Sequence, residues 1–346
     1  MRRFLPLFIL FFAPLTSQAQ RVLEPRHLHL LVSEGIHLIL SQEYAKADSV
    51  FRLVTVEYPD HPVGYIYQAA VLQTKALDYE LVLESFELDP VLEQALNKAE
   101  QLLKSDPYNA WGHFFLGTIY GYDSYARVER GDWFGGVTKG LSAVSAFREA
   151  LEHDSTLYDA FAGIGTYLYW KGRKTEFLHW LPFVSDDRKE GIAMLKECWE
   201  KGTYNRFAAA NSLVAIFLDA GNPYEADRFA TLALQSYPSN RLFLWGKATA
   251  QERIGNFAEA RETYERLLQA IVADTTENLY NELVCRLNLA RVQLRLGFRA
   301  EAERELKQIM EMKKKKRFVK HLSRRAATKF AEAESLLISL TSEPGR

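Results

Sequence analysis

The stretch GNPYEADRFATLALQSYP, residues 221–238, sets the reading of the whole chain. Ala226, Ala230 and Ala233 fall at i, i+4 and i+7, one face of a helix, and Pro238 stops that helix. The same register recurs as Ala47/Phe51/Val54, Ala95/Ala99/Leu102, Ala143/Phe147/Ala150, Gly191/Leu195/Cys198, Ala260/Tyr264/Leu267 and Ala302/Leu306/Ile309. Pro59 and Pro107 close two of these units in the register of Pro238, and Ser155 and Thr203 stand there in two others. A partner helix precedes each unit, marked by Gly35, Ala69, Gly117, Gly165, Val214, Ala248 and Ala290. Small side chains at those positions let helices pack closely.

The pattern resembles the tetratricopeptide repeat family, whose unit of 34 residues carries a small residue in each helix at their crossing and a terminal Pro. The resemblance spans about residues 28–340, although the family's first-helix Trp and Tyr are mostly replaced and Pro is missing from four units. It implies an all-α, right-handed solenoid of about seven helix pairs. The stripe Ala326, Phe330, Ala333, Leu336 and Leu337 then reads as a C-terminal capping helix.

The spacing within units is uneven. The two markers lie 12 residues apart in repeats one, five, six and seven, and 26 apart in repeats two, three and four. Three consecutive units therefore carry a 14-residue extension, near 76–89, 124–137 and 172–185. Shared between two helices, it lengthens each by about two turns, roughly 10 Å, and stacked repeats would align the three tips as one wall. Ala76 to Phe86 reads as helix continuation, whereas Gly131, Gly135, Gly136 and Gly140 suggest a loop.

Composition limits the function classes. Of 346 residues 48% are hydrophobic and 25% charged, and the formal charge of -1 offers no general attraction to nucleic acid. Residues 1–19 read as a cleaved secretory signal, with Arg2 and Arg3, an apolar stretch from Phe4 to Leu15 and small residues before the cut. The mature chain would begin at Gln20. No Asn-x-Ser/Thr acceptor occurs, and a bacterial periplasmic or secreted location is the expectation. Cys198 sits in a core register and Cys285 far from it in the array, so two free thiols are expected.

Aromatic residues concentrate in repeats three and four. Tyr122, Tyr125, Trp133, Tyr169 and Trp180 are candidates to border a groove. By the resemblance, first-helix positions that face an extended peptide carry over to Trp111, Phe114 and Thr118 in repeat three and to Asp159, Thr166 and Tyr169 in repeat four. These support a non-catalytic scaffold or adaptor of the bacterial envelope, holding an unidentified protein or peptide partner in a concave groove walled by the extensions of repeats two to four. The same rings could instead stack on a glycan or other small ligand. A remoter enzymatic reading uses His179 with Asp186 or Asp187, which read more simply as a helix start. His27-x-His29 lacks further ligands at a useful spacing, so neither metal nor cofactor is indicated. The basic segment Lys313–Arg325 could touch anionic envelope lipid, or simply be solvated.

Overall fold

A computed structural model describes residues 20–81, 83–178, 185–274, 276, 278–315 and 323–342. The expected signal segment, His179, Trp180 and most of the basic run around Arg317 lie outside them. The described residues form fifteen α-helices, seven sequential antiparallel pairs and one final helix. The pairs are α1 (Arg26–Leu40) with α2 (Tyr44–Glu57), α3 (Val63–Tyr79) with α4 (Ser85–Ser105), and α5 (Ala110–Glu129) with α6 (Trp133–His153). Then come α7 (Ala160–Lys174) with α8 (Arg188–Lys201), α9 (Arg206–Asp219) with α10 (Pro223–Ser236), α11 (Arg241–Ile254) with α12 (Phe257–Val272), and α13 (Leu279–Arg295) with α14 (Arg299–Lys315). The last helix, α15 (Ser323–Ser342), covers the end with Ala326, Phe330 and Ala333 buried.

One local device ends most first helices. A residue in the left-handed region follows α1, α3, α5, α9, α11 and α13: Gln42, Glu80, Gly131, Gly221, Gly255 and Gly297. The next N–H then reaches back five residues, as in Asp132 N to Arg127 O at 2.9 Å and Asn256 N to Gln251 O at 2.9 Å. This is the Schellman closure, which reverses the chain where carbonyls would otherwise be orphaned. Side-chain caps start several helices, among them Asn109 on Gly112 N and Asp132 on Gly135 N, both 2.9 Å.

The register markers are close crossings. A Cβ on Gly117 would stand 2.6 Å from the Phe147 ring, and one on Gly165 would stand 2.5 Å from the Gly191 carbonyl oxygen. Helices α7 and α8 thus meet backbone to backbone. The buried positions Ala47, Phe51, Val54, Leu195, Cys198, Ala230 and Leu306 are those the periodicity marks.

The three extensions differ from one another. In repeat three α5 has 20 residues and α6 has 21, against 14 each for α9 and α10, so both helices grow by about 10 Å. The expected loop at 124–137 is therefore corrected: only Gly131 is in the turn, and Gly135, Gly136 and Gly140 lie inside α6. They are there for proximity, since a Cβ on Gly136 would be 2.5 Å from Val128 and one on Gly140 3.1 Å from Tyr167. In repeat two the helix expected across Ala76–Phe86 breaks at Glu80, where Leu81 N closes on Ala76 O at 2.8 Å. Repeat four lengthens neither helix and passes through a short 3-10 turn at Glu176–Leu178. The tips do touch: Arg130 pairs with Asp89 at 3.1 Å, and the Lys174 ammonium lies 5.9 Å from the Trp133 ring centroid.

Candidate partner-binding surface

The first helices α1, α3, α5, α7, α9 and α11 pack successively on one another and make the inner face of the array. That face carries its own chain. Asp159 is fully buried at the start of α7, and its carboxylate accepts from Tyr204 N at 3.0 Å and Asn205 N at 2.7 Å. The Gln20 side chain completes the set, its Nε2 donating to Asp159 Oδ2 and its Oε1 accepting from Asp159 N at 3.0 Å. Burial pushes the Asp159 carboxyl up, against the pull of those N–H donors. Leu23 N donates to the Tyr204 hydroxyl at 2.9 Å, and that hydroxyl lies 2.7 Å from His29 Nδ1. Residues 20–23 and the head of α1 thus occupy the inner face of repeats three and four.

Further contacts join the first two repeats to later ones. Asn240 Nδ2 donates to Leu40 O at 2.8 Å, and Arg241 N donates to Gln42 Oε1 at 3.0 Å. Arg241 donates through Nε to Asp78 Oδ1 at 2.9 Å and through Nη2 to Asp78 Oδ2, while its Nη1 lies 2.8 Å from Asp274 Oδ2. Asp78 and Arg241 side chains are only 1% and 6% exposed, so this is an interior ion pair. The Asp78 carbonyl accepts from Asn278 at 3.0 Å and from Asn281 at 2.7 Å, and Tyr79 donates to Asp274 at 2.7 Å. Burial opposes it, but the bonds from Tyr79 and Thr276 and the Arg241 charge hold the Asp274 carboxyl below its usual range. Arg325 of α15 pairs with Glu80 at 2.7 Å. The array curls until its beginning rests on its second half.

The candidate residues from the sequence separate into three groups. Phe114 and Tyr169 are buried with Asp159, and Tyr169 donates to Asp219 at 2.7 Å. Half-buried Trp111 stacks on Phe115 at 5.8 Å and meets Tyr204 edge-on at 5.8 Å. Thr118 donates to the Phe114 carbonyl at 2.9 Å, and Thr166 to Ser212 at 3.0 Å. Tyr122 packs on the cores of repeats one to three, and burial raises its hydroxyl pKa as it does that of Tyr125. Of the ten, Trp133 alone is mainly exposed among the described residues, and Trp180 lies outside them. Sequence reasoning missed Gln20, Asp78, Tyr204 and Arg241, each of which has a partner at least 139 positions away that leaves no local signature.

The outer tips offer a different surface. On α6, Trp133, Phe134, Val137 and Leu141 are 59%, 86%, 54% and 55% exposed, and Phe86 and Phe177 of the neighbouring extensions are each 74% exposed. Beside them α4, α5 and α6 enclose an open cleft of about 490 Å³, lined by Asp89, Tyr120, Asp123, Arg127, Arg130 and Lys139. Its charges are cross-paired, Arg127 with Asp123 at 2.7 Å and Lys139 with Asp123 at 3.4 Å.

Other groups singled out in the sequence are engaged locally. His27 meets Glu57 at 3.0 Å. Asp186 accepts from Arg188 Nε at 2.7 Å, and Asp187 from Lys171 at 2.6 Å. Both cysteines are buried free thiols, and burial raises their pKa values. Lys313 pairs with Glu334 and Lys314 with Glu311, each at 2.9 Å. No helix among the described residues is long and apolar enough to cross a membrane.

No family model matches the sequence, and no curated protein does. Solved structures share the fold at low identity. PilF of Pseudomonas aeruginosa aligns over 80% of this chain and 97% of its own, with 15% identity and a TM-score of 0.50. A chain of the APC/C hetero-tetramer Cut9-Hcn1 aligns over 92% of this chain and 52% of its own, with 12% identity and a TM-score of 0.55. The C-terminal part of a TPR repeat-containing protein of Cytophaga hutchinsonii covers 88% of this chain and 98% of its own, with 15% identity and a TM-score of 0.46. The chain has a tetratricopeptide-like helical-repeat fold.

Proposed function

We propose that this protein is a non-catalytic scaffold of the bacterial envelope that binds a partner protein along the extension edge of repeats two to four. One observation carries the choice of surface: the apolar row Trp133, Phe134, Val137 and Leu141 stands in solvent at a helical hairpin tip. Contiguous exposed apolar patches mark interaction sites, and aromatic anchors dominate such interfaces. The inner face of repeats three and four, where an extended peptide would lie, holds Gln20 and Leu23 instead. Repeat solenoids in general present extended binding surfaces. The envelope assignment rests on residues 1–19 reading as a secretory signal.

A crosslinked pull-down from envelope extract tests this, using residues 20–346 beside a Phe134→Glu, Val137→Glu variant. The partner should be captured by the unaltered chain and lost by the variant, with unchanged circular dichroism. Equal capture by both would move the interface elsewhere. A second reading, a small polar or glycan ligand, has support from the cleft of about 490 Å³ with Tyr120 and Lys139 in its wall. It predicts that Lys139→Ala, rather than the Phe134 variant, abolishes glycan-array binding. Peripheral contact of Lys313–Arg325 with anionic lipid is an accessory proposal, tested by flotation with phosphatidylglycerol vesicles at low and high salt.

A further inference from the structure

We propose that repeat three binds a divalent transition-metal ion through His113 of α5 and Glu149 and His153 of α6, at the end of the hairpin opposite Trp133. One nitrogen of each ring and one Glu149 carboxylate oxygen lie within 4.8 Å of one another. Glu149 and His153 are four residues apart in α6 and so share one face. The antiparallel partner α5 brings His113 against them, with the two imidazole centroids 5.3 Å apart. Zinc bonds to nitrogen and oxygen at about 2.0–2.2 Å, which sets tetrahedral donors about 3.3 Å apart. Glu149 and His153 are exposed and His113 half-buried, so side-chain rotation can close the remaining distance.

The surroundings already orient one of the ligands. His113 Nε2 lies 2.8 Å from the Pro107 carbonyl oxygen. A carbonyl only accepts, so Nε2 carries the proton and Nδ1 keeps the lone pair that a metal takes. A histidine whose second nitrogen donates to a backbone carbonyl is the usual outer-shell arrangement of a metal ligand. Tyr108 meets the His153 ring edge-on at 5.5 Å, an exposed neighbour that leaves the imidazole free to turn toward His113. Among the described residues no cation pairs with the Glu149 carboxylate, which is left to compensate an ion's charge.

The donor set chooses the class of ion. Two imidazoles and one carboxylate suit Zn²⁺, Co²⁺, Ni²⁺ or Cu²⁺, whereas Mg²⁺ and Ca²⁺ prefer oxygen throughout. Three protein ligands leave a coordination position for water or for a side chain of another protein. Along α6 the site lies about 24 Å from Trp133 and about 12 Å from Leu141, the near end of the edge surface, so the two do not share residues.

Calorimetric titration of the untagged, metal-free chain with ZnCl₂ at pH 7.5 tests the site, with Co²⁺ as the optical probe. One equivalent should bind, and Co²⁺ should give visible ligand-field bands. His113→Ala, Glu149→Gln and His153→Ala should each weaken binding by at least about tenfold and remove the bands, whereas His27→Ala, at the other His–Glu pair, should change neither. Mg²⁺ should not compete. All four substitutions are at exposed or half-buried positions, and matching thermal melts without metal will show that the fold is kept. No saturable binding below millimolar Zn²⁺, or equal binding by the chain and its three ligand variants, would overturn the proposal.

Discussion

Arg241 has two buried or half-buried carboxylates and almost no solvent, so among the described residues its charge is balanced by Asp78 and Asp274. Removing one member of such a pair strands the other. Arg241→Ala is expected to lose about 3–5 kcal/mol of stability, read from the urea transition, while Asp78→Leu with Arg241→Met should recover much of it. His61 makes a second residue-level case. It packs edge-on to Phe115 at 5.2 Å, its Nδ1 accepts from Val63 N at 3.2 Å, and burial pushes its pKa down to about 4. The folded value is below the unfolded one of about 6.5, so the neutral ring's contribution is whole above that pH and is lost as pH falls toward 4. The unfolding free energy from urea transitions should therefore drop between pH 7 and 4 more steeply in the native chain than in His61→Gln, by up to about 3 kcal/mol. None of these polar roles could be read in advance. Periodicity ranks apolar positions, and nothing near Arg241 in sequence announces that Asp78, 163 positions away, will lie against it.

Glycines show what the element scale does and does not reveal. Gly165 and Gly191 were readable as crossing points because they recur in register, and there a Cβ on either would sit 2.5 Å from the other's carbonyl oxygen. Gly191→Ala should force α7 and α8 apart and destabilise by about 1–3 kcal/mol. Gly121, inside α5 with nothing within 4 Å of an added Cβ, gives the opposite expectation. Gly121→Ala should gain about 0.5–1 kcal/mol from helix propensity, and paired thermal melts will check both signs. The cluster Gly131 to Gly140 misled because glycine serves two ends, a left-handed turn and a close approach. Local sequence cannot tell them apart; only the path of α5 beside α6 does, and it leaves Gly131 in the turn and Gly136 against Val128. Seven pairs and the final helix were legible, since each depends on spacing along the chain.

The molecule as a whole depends on curvature, which is a small rotation per repeat and has no marker in the register. For that reason the aromatic face of repeats three and four read as an open groove, although Gln20 and Leu23 lie on it. A chain shortened by residues 20–23 should show faster amide exchange around Asp159, Tyr204 and Asn205, and hydrogen exchange with mass spectrometry will measure it. Two thiols per chain should react with Ellman's reagent only after denaturation, given that Cys198 and Cys285 are both buried. Open solenoids behave as one-dimensional chains in which each unit feels its two neighbours, so they can melt from either end. Here Asp78 and Arg241, Leu40 and Asn240, and Gln20 and Asp159 tie the first units to distant ones. That turns a line into a loop, and fraying of the first unit must break contacts made by the fourth to sixth. It also sets an order during synthesis: the opening two repeats emerge first yet finish burying their polar groups only once Arg241 and Asn281 have been added. Loop closure over such separations slows folding, so the first two repeats should acquire their protection last although they are made first.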